Sequence, residues 1–375
     1  MIENISDRRR QTMSRIYRSL YSSPTPLSKQ DLAVNLELSL PTVYQNVNDL
    51  LELGLIEYAG AQSSSGGRPP MQLRVVAGAR FAVGVLITKR HIHFALTDLK
   101  CGLLGLIERE HSFELLSSDY NTFLSSELER FLDENAVDRS KLLGVGICLA
   151  GIIVSETNTV FYAPTLGLRN VSMQTLIDTI PYPVHLENDA SSGGFAEWFF
   201  QHSSQSLAFL SLAEGVGGAV FVNGDRYEGS NERSGEFGHM CVERNGLPCT
   251  CGRRGCLEAY CSSTRISHDL GMSIDEFFRR MADGSQKAAA LWDDYMIHLA
   301  QGIHNIRMAL DCSVVLGGQM AEFIAPYLPR LKELVSECDP FSSNANYLRI
   351  DHSFGKGAIL GAALYYVKEF LEKFI

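Results

Sequence analysis

No apolar run in this sequence reaches the roughly 20 residues that a membrane-spanning helix needs, so no membrane insertion is expected. The polar N-terminus carries Arg8, Arg9 and Arg10 with no apolar signal-peptide core behind them. That pattern points to the cytoplasm. A disulfide framework is not expected in such a reducing compartment, although there are nine cysteines. Cys101, Cys148, Cys241, Cys261, Cys312 and Cys338 are scattered, mostly in apolar settings, and read as small buried residues. Positive charge is also scarce, with 33 Lys+Arg against 43 Asp+Glu. The shortage is uneven. Residues 1–75 hold 8 basic and 7 acidic side chains (+1), whereas residues 76–375 hold 25 and 36 (−11). A near-neutral head on an acidic body suits a head that must approach phosphates. An apolar content of 45% and a charged content of 20% are those of a folded soluble protein.

The head, residues 1–75, reads as helices followed by a hairpin. Met13, Ile16, Tyr17 and Leu20 form one face of a helix over 8–23, which Pro24 and Pro26 end. Ser28 caps a short second helix, with Asp31 three residues on. Ser39 opens a third, with Pro41 in its first turn and Val43, Val47, Leu50 and Leu51 as its buried stripe. Two helices joined by a tight turn near Glu37 and Leu38 have the spacing of a helix-turn-helix. Leu55–Tyr58 follows as a strand, then a Ser/Gly turn over 63–67 and Arg68-Pro-Pro70, which make the unit winged. Double-stranded operator DNA is the expected partner. Ser39, Thr42, Gln45 and Asn46 lie at the start of the third helix, where Gln and Asn can bond adenine edges. Arg68 suits a narrow minor groove. The alternative is a protein-docking module with a solvated polar face.

The body, residues 76–375, has a different pattern. Strands at 81–87 and 92–96 precede a helix at 119–134 and a buried strand at 142–149. A strand near Val184, a helix at 190–200 and strands at 207–212 and 218–222 follow. The tail adds a helix at 287–309, a strand at 313–316 and a closing helix at 356–373. Repeated strands and helices in two halves argue for an α/β body with two lobes, about 78–190 and 191–375, around a cleft.

One His and three Cys fall within residues 239–256: His239, Cys249, Cys251 and Cys256. Three thiolates and an imidazole are a full tetrahedral set for structural zinc. Gly252 and Gly255 allow the loop to wrap the metal. The competing reading is a Cys249–Cys251 disulfide. Glu236 and Glu258 bracket the set and have no place among its ligands.

Several motifs carry a family resemblance. They are Gly144-Val-Gly-Ile147, Ala163-Pro-Thr-Leu-Gly-Leu-Arg169, Glu187-Asn-Asp-Ala190, Gly215-Val-Gly-Gly218, Gly235-Glu-Phe-Gly-His-Met240, the run Cys249–Glu258, and Val315-Leu-Gly-Gly318. In this order they resemble the ROK family of repressors, open reading frames and sugar kinases. The resemblance covers the whole body. With the winged head, it is to the family's sugar-responsive repressors. It implies an actin-like, ribonuclease-H-like fold with two lobes around a sugar cleft. It also implies a sugar pocket built from Gly151, Asn188, Asp189, Glu236, His239 and Glu258. In the kinases the residue matching Asp189 is the general base toward a sugar hydroxyl. Without the resemblance, Asn188 and Asp189 would read as a helix cap, and Glu236 and Glu258 as surface charge.

The sequence departs from the kinases at the phosphate segments. Leu86 stands where an Asp would organise magnesium, and Thr88 where a Gly would let amides approach phosphate. Ala213-Glu214-Gly-Val-Gly217 replaces a Gly-Thr-Gly turn, and the Glu214 carboxylate would repel triphosphate. Thr165 and Ala150 replace a common Asn and Pro beside the sugar. The expectation is a non-enzymatic, sugar-responsive repressor of carbohydrate genes, zinc-braced and a homodimer or homotetramer. The alternatives are a sugar kinase with an accessory DNA-binding head, and a regulator whose cleft answers to a transporter or other protein.

Overall fold

The computed structural model describes residues 7–61, 70–114, 117–201, 205–341, 343–353 and 355–373. The N-terminal unit contains α1 (Asp7–Ser22), β1 (Leu27–Ser28), α2 (Lys29–Asn35), α3 (Leu40–Glu52), β2 (Ile56–Ala61) and β3 (Met71–Val75). Ser28 and Asp31 form a reciprocal capping box at the start of α2. Glu37 turns the chain into α3 through a left-handed conformation, φ 53°. The Ser39 hydroxyl then accepts from the Thr42 amide at 3.3 Å. The strands form an antiparallel sheet in the order β1-β3-β2.

The first half of the body contains β4 (Phe81–Ile87), β5 (His91–Asp98), β6 (Leu103–Glu110), α4 (Ser118–Glu134), β7 (Leu142–Leu149), β8 (Ile152–Val154), β9 (Thr159–Ala163), β10 (Leu168–Ser172), α5 (Gln174–Ile177) and β11 (Val184–Asn188). Its main sheet runs β11-β7-β4-β5-β6, and β10-β9-β8 form a small flanking sheet. The second half contains α6 (Asp189–Gln201), β12 (Leu207–Leu212), β13 (Val216–Val222), β14 (Asp225–Arg226), α7 (Leu257–Cys261), α8 (Ser263–Leu270), α9 (Ile274–Ala282), α10 (Gln286–Leu310), β15 (Ser313–Gly317), α11 (Ala321–Ile324), α12 (Leu328–Cys338), β16 (Leu348–Ile350) and α13 (Gly357–Lys373). Its sheet runs β14-β13-β12-β15-β16. Each half has its own apolar core. No described helix is long and apolar enough to cross a membrane.

Two features differ from the expected division. The closing helix α13 packs on β4 and β7 of the first sheet, so the second lobe is not the continuous run 191–375. Glycine makes this crossing close. A Cβ on Gly84 or Gly146 would lie 1.9 Å from the carbonyl oxygens of Ile359 and Ala362 on α13. The head also shares a core with the body. Met13, Ile16, Tyr17 and Leu20 of α1 belong to one apolar cluster with Ala196 and Phe199 of α6 and Leu360, Leu364 and Val367 of α13. The edge strand β6, the small sheet and the short strands β14 and β16 had no clear signal in the sequence.

Candidate functional site

The His/Cys loop closes on itself. The ligand atoms of His239, Cys249, Cys251 and Cys256 all lie within 4.8 Å of one another. His239 Nδ1 is 3.8 Å from Cys249 Sγ, and Cys251 Sγ is 3.7 Å from Cys256 Sγ. A tetrahedron with ~2.3 Å metal–sulfur bonds has edges of about 3.8 Å, so the set fits zinc. The wrap is backbone-driven. Gly252 and Gly255 have φ of 85° and 79°, and a Cβ on Gly255 would lie 1.7 Å from the Glu243 carbonyl oxygen. Cys256 stands at the N-cap of α7, and its backbone pairs with that of Cys241 in an isolated antiparallel bridge.

The two spare carboxylates have different surroundings. Glu258 accepts from Thr250 Oγ1 at 2.7 Å and from Cys249 Sγ at 3.6 Å through Oε1. Its Oε2 accepts from the Val216 amide at 3.2 Å, which ties the His/Cys loop to β13. Glu236 Oε2 lies 3.8 Å from His239 Nε2, the ring nitrogen that faces away from the thiols.

Between the lobes lies an open, solvent-facing cleft. Gly151, Asn188 and Glu236 of the expected sugar residues line it. Asp189, His239 and Glu258 do not, although His239 and Glu258 reach it through their contacts with Glu236 and β13. Gly151 sits at φ 150°, and its carbonyl accepts from Asn188 Nδ2 at 2.8 Å. Asn188 Oδ1 accepts from the Ser191 amide at 2.8 Å, and Asp189 Oδ1 from the Ala190 amide at 2.9 Å. Both side chains therefore also cap α6. Burial pushes the Asp189 carboxyl up to about 6, against the pull of its backbone hydrogen bonds.

The cleft contains residues that spacing did not point to. Arg226 of β14 pairs across it with Glu187 of β11, and also with Glu228. Glu232 lines the same wall. Glu187 could have been found from its place beside Asn188; the others lie on a distant strand and loop. Thr88 uses its hydroxyl to close the β4–β5 turn, accepting from the His91 amide at 3.0 Å. Leu86 is half-buried on β4, and Glu214 is exposed in the β12–β13 turn.

In the head, Gln45 is exposed on α3. Thr42 is half-buried and Ser39 exposed, with 2.7 Å between their hydroxyl oxygens. Asn46 corrects the expectation. It is 2% exposed and donates to the Thr42 carbonyl at 2.7 Å, so it faces the core rather than a partner. Arg68 and the Ser/Gly turn lie outside the described residues. The same face carries a group not anticipated. Lys29 Nζ lies 4.2 Å above the exposed Tyr44 ring and donates to Tyr58 Oη at 3.3 Å.

The body folds as an actin-like α/β protein with a cleft between two sheets. The ROK family model matches residues 82–369, and the chain belongs to the ROK family. A xylose repressor of Bacillus spizizenii is 30% identical over 250 residues, 66% of this chain. That match spans 64% of the repressor's own length. A ROK family transcriptional regulator described as a homolog of the E. coli MLC protein shares the fold over 98% of both chains, with TM-score 0.75 and 22% identity. A ROK family glucokinase from Streptomyces griseus, solved with glucose and AMPPNP, covers 76% of this chain and 98% of its own, with TM-score 0.63 and 19% identity.

Proposed function

We propose that this chain is a DNA-binding transcription regulator, a repressor of carbohydrate genes, whose cleft takes a sugar effector. One observation carries the reading: a single helix links the cleft to the head. α6 begins at Asp189 beside Asn188, and Ala196 and Phe199 near its far end share an apolar cluster with α1. From Asp189 to Phe199 is about 15 Å at the helical rise. Glu197 fixes α6 to the second lobe by pairing with Arg349 and accepting from His352 Nδ1 at 2.8 Å. A shift at the cleft therefore has a rigid path to the head. The ligand biases DNA affinity only through its differential affinity for the two arrangements.

In this reading the head, residues 1–75, is a winged helix-turn-helix. Gln45 and Thr42 face base edges, Lys29 meets a backbone phosphate between its two tyrosines, and Arg68 belongs to the wing. A homodimer or homotetramer would present paired heads to operator half-sites. In the cleft, Asn188 and Glu236 bond sugar hydroxyls beside Gly151, and Asp189, next to Asn188 but behind the lining of the ligand-free cleft, reaches the sugar as the ligand seats. His239 and Glu258 act behind Glu236. His239, Cys249, Cys251 and Cys256 would hold a zinc ion, which supplies a structural brace and no reaction chemistry.

Phosphoryl transfer is the second reading. The raised Asp189 carboxyl favours it, as a general base near neutrality would need. Apolar Leu86 and the Glu214 carboxylate oppose it. Selecting bound duplexes from a random pool, then titrating sugars into the complex, tests the proposal. A sugar-dependent change in operator affinity supports it. ATP-dependent sugar phosphorylation would favour the kinase, and a cleft silent to sugars would favour a protein effector.

A further inference from the structure

The cleft is rich in negative charge and poor in available positive charge. Among the described residues, Glu187, Glu228, Glu232 and Glu236 line it, against a single cation, Arg226. All three nitrogens of that guanidinium are engaged. Nη1 pairs with Glu187, Nε donates to Glu228 Oε1 at 3.1 Å, and Nη2 pairs with the same carboxylate. His185 lies 3.7 Å from Glu187, and Arg233 stacks over Phe161, 6.0 Å from its centroid. Burial, with the charges of Glu228 and Glu156, holds the Glu232 carboxyl above its ordinary range.

Carboxylates accept hydrogen bonds from hydroxyls and ammonium groups and have nothing to donate to an anion. The remaining lining includes Ile152, Ile153, Ala219 and Val220, which suit the C–H faces of a sugar ring. A phosphate brings close to two negative charges at neutral pH. Among the described lining residues only Arg226 could neutralise them, and only if its pairs break; Arg233, outside the lining, already faces the Glu236 carboxylate.

We propose that the cleft selects by charge: it takes an uncharged or amine-bearing sugar and rejects sugar phosphates and sugar acids. The inference rests on the sugar-cleft reading and specifies the effector's chemical class. In this reading the regulator answers to the sugar in its unphosphorylated form.

Calorimetry on the full-length, zinc-loaded protein tests this with matched pairs: glucose, N-acetylglucosamine and glucosamine, each against its 6-phosphate, and glucose against glucuronate. The parent sugar that binds should do so at least about tenfold more tightly than its anionic partner. Glu228→Gln frees part of Arg226 and should narrow that ratio by about threefold or more, as should raised salt. A sugar phosphate that binds as tightly as its parent, or a ratio unmoved by Glu228→Gln, overturns the inference. If no member of the panel binds, the sugar-cleft reading itself fails.

Discussion

Tyr21, in the last turn of α1, donates its hydroxyl to the Leu99 carbonyl at 2.7 Å and so ties the head to the β5–β6 turn of the body. Lys100 covers the other side, with its ammonium 4.2 Å above the Tyr21 ring. Among the described residues the head thus meets the body here as well as at the α6–α13 cluster. Tyr21→Phe removes the hydrogen bond to Leu99, worth about 1 kcal/mol, and the longer contact with Cys101 Sγ at 3.9 Å. We expect a fall in melting temperature of a few degrees and a smaller ratio between operator affinities with and without effector. An unchanged ratio, measured by fluorescence anisotropy, would mean that coupling runs through α6 and α13 alone.

Metal analysis of the purified protein should find about one zinc per chain. Cys251→Ser should lose the metal and loosen the loop that carries Glu236 and Glu258. A metal-free wild-type protein with full stability, measured by mass spectrometry and thermal melting, would refute the ligand assignment.

The head offers two distinguishable substitutions. Gln45→Ala should weaken the selected operator by about 1–3 kcal/mol and relax its sequence preference. Lys29→Ala should weaken all duplexes alike and lower the salt slope by about one phosphate. Binding titrations across salt concentrations separate the two. The opposite assignment of effects would reverse the roles of α3 and the Lys29–Tyr44–Tyr58 group.

Asp189 gives a pH signature. Its carboxyl titrates at about 6 when folded, against 3.8 ordinarily, so the native state holds the proton more tightly. Stability should therefore fall as pH rises from about 4 to about 6 and stay at the lower level above that. Asp189→Asn removes this penalty. It should be more stable than the parent at pH 7, on the order of 1–2 kcal/mol, and indistinguishable near pH 4. Denaturant melts at both pH values measure the difference.

The clustering of His239, Cys249, Cys251 and Cys256 was legible in the sequence because they fall within one short loop, where chain connectivity keeps them close. Asn46 shows how polarity misleads. Val43, Val47 and Leu50 mark the buried stripe of α3, and a period of 3.6 residues puts position 46 on that stripe. The residue's chemistry suggested base contact, whereas its place in the helix turns it inward. Glu187 and Arg226 meet only because two separate sheets face each other across the cleft, and no spacing along the chain encodes that. The two-half pattern indicated two lobes but not the return of α13 to the first sheet. That return depends on a close helix–sheet crossing at Gly84 and Gly146.

The most direct test is operator affinity of the zinc-loaded protein, measured with and without a sugar that raises its melting temperature. The account predicts a change of about tenfold or more on sugar binding, lost in Asp189→Ala, with no ATP-dependent turnover of that sugar. Turnover abolished by Asp189→Ala, with operator affinity unchanged by sugar, would contradict it.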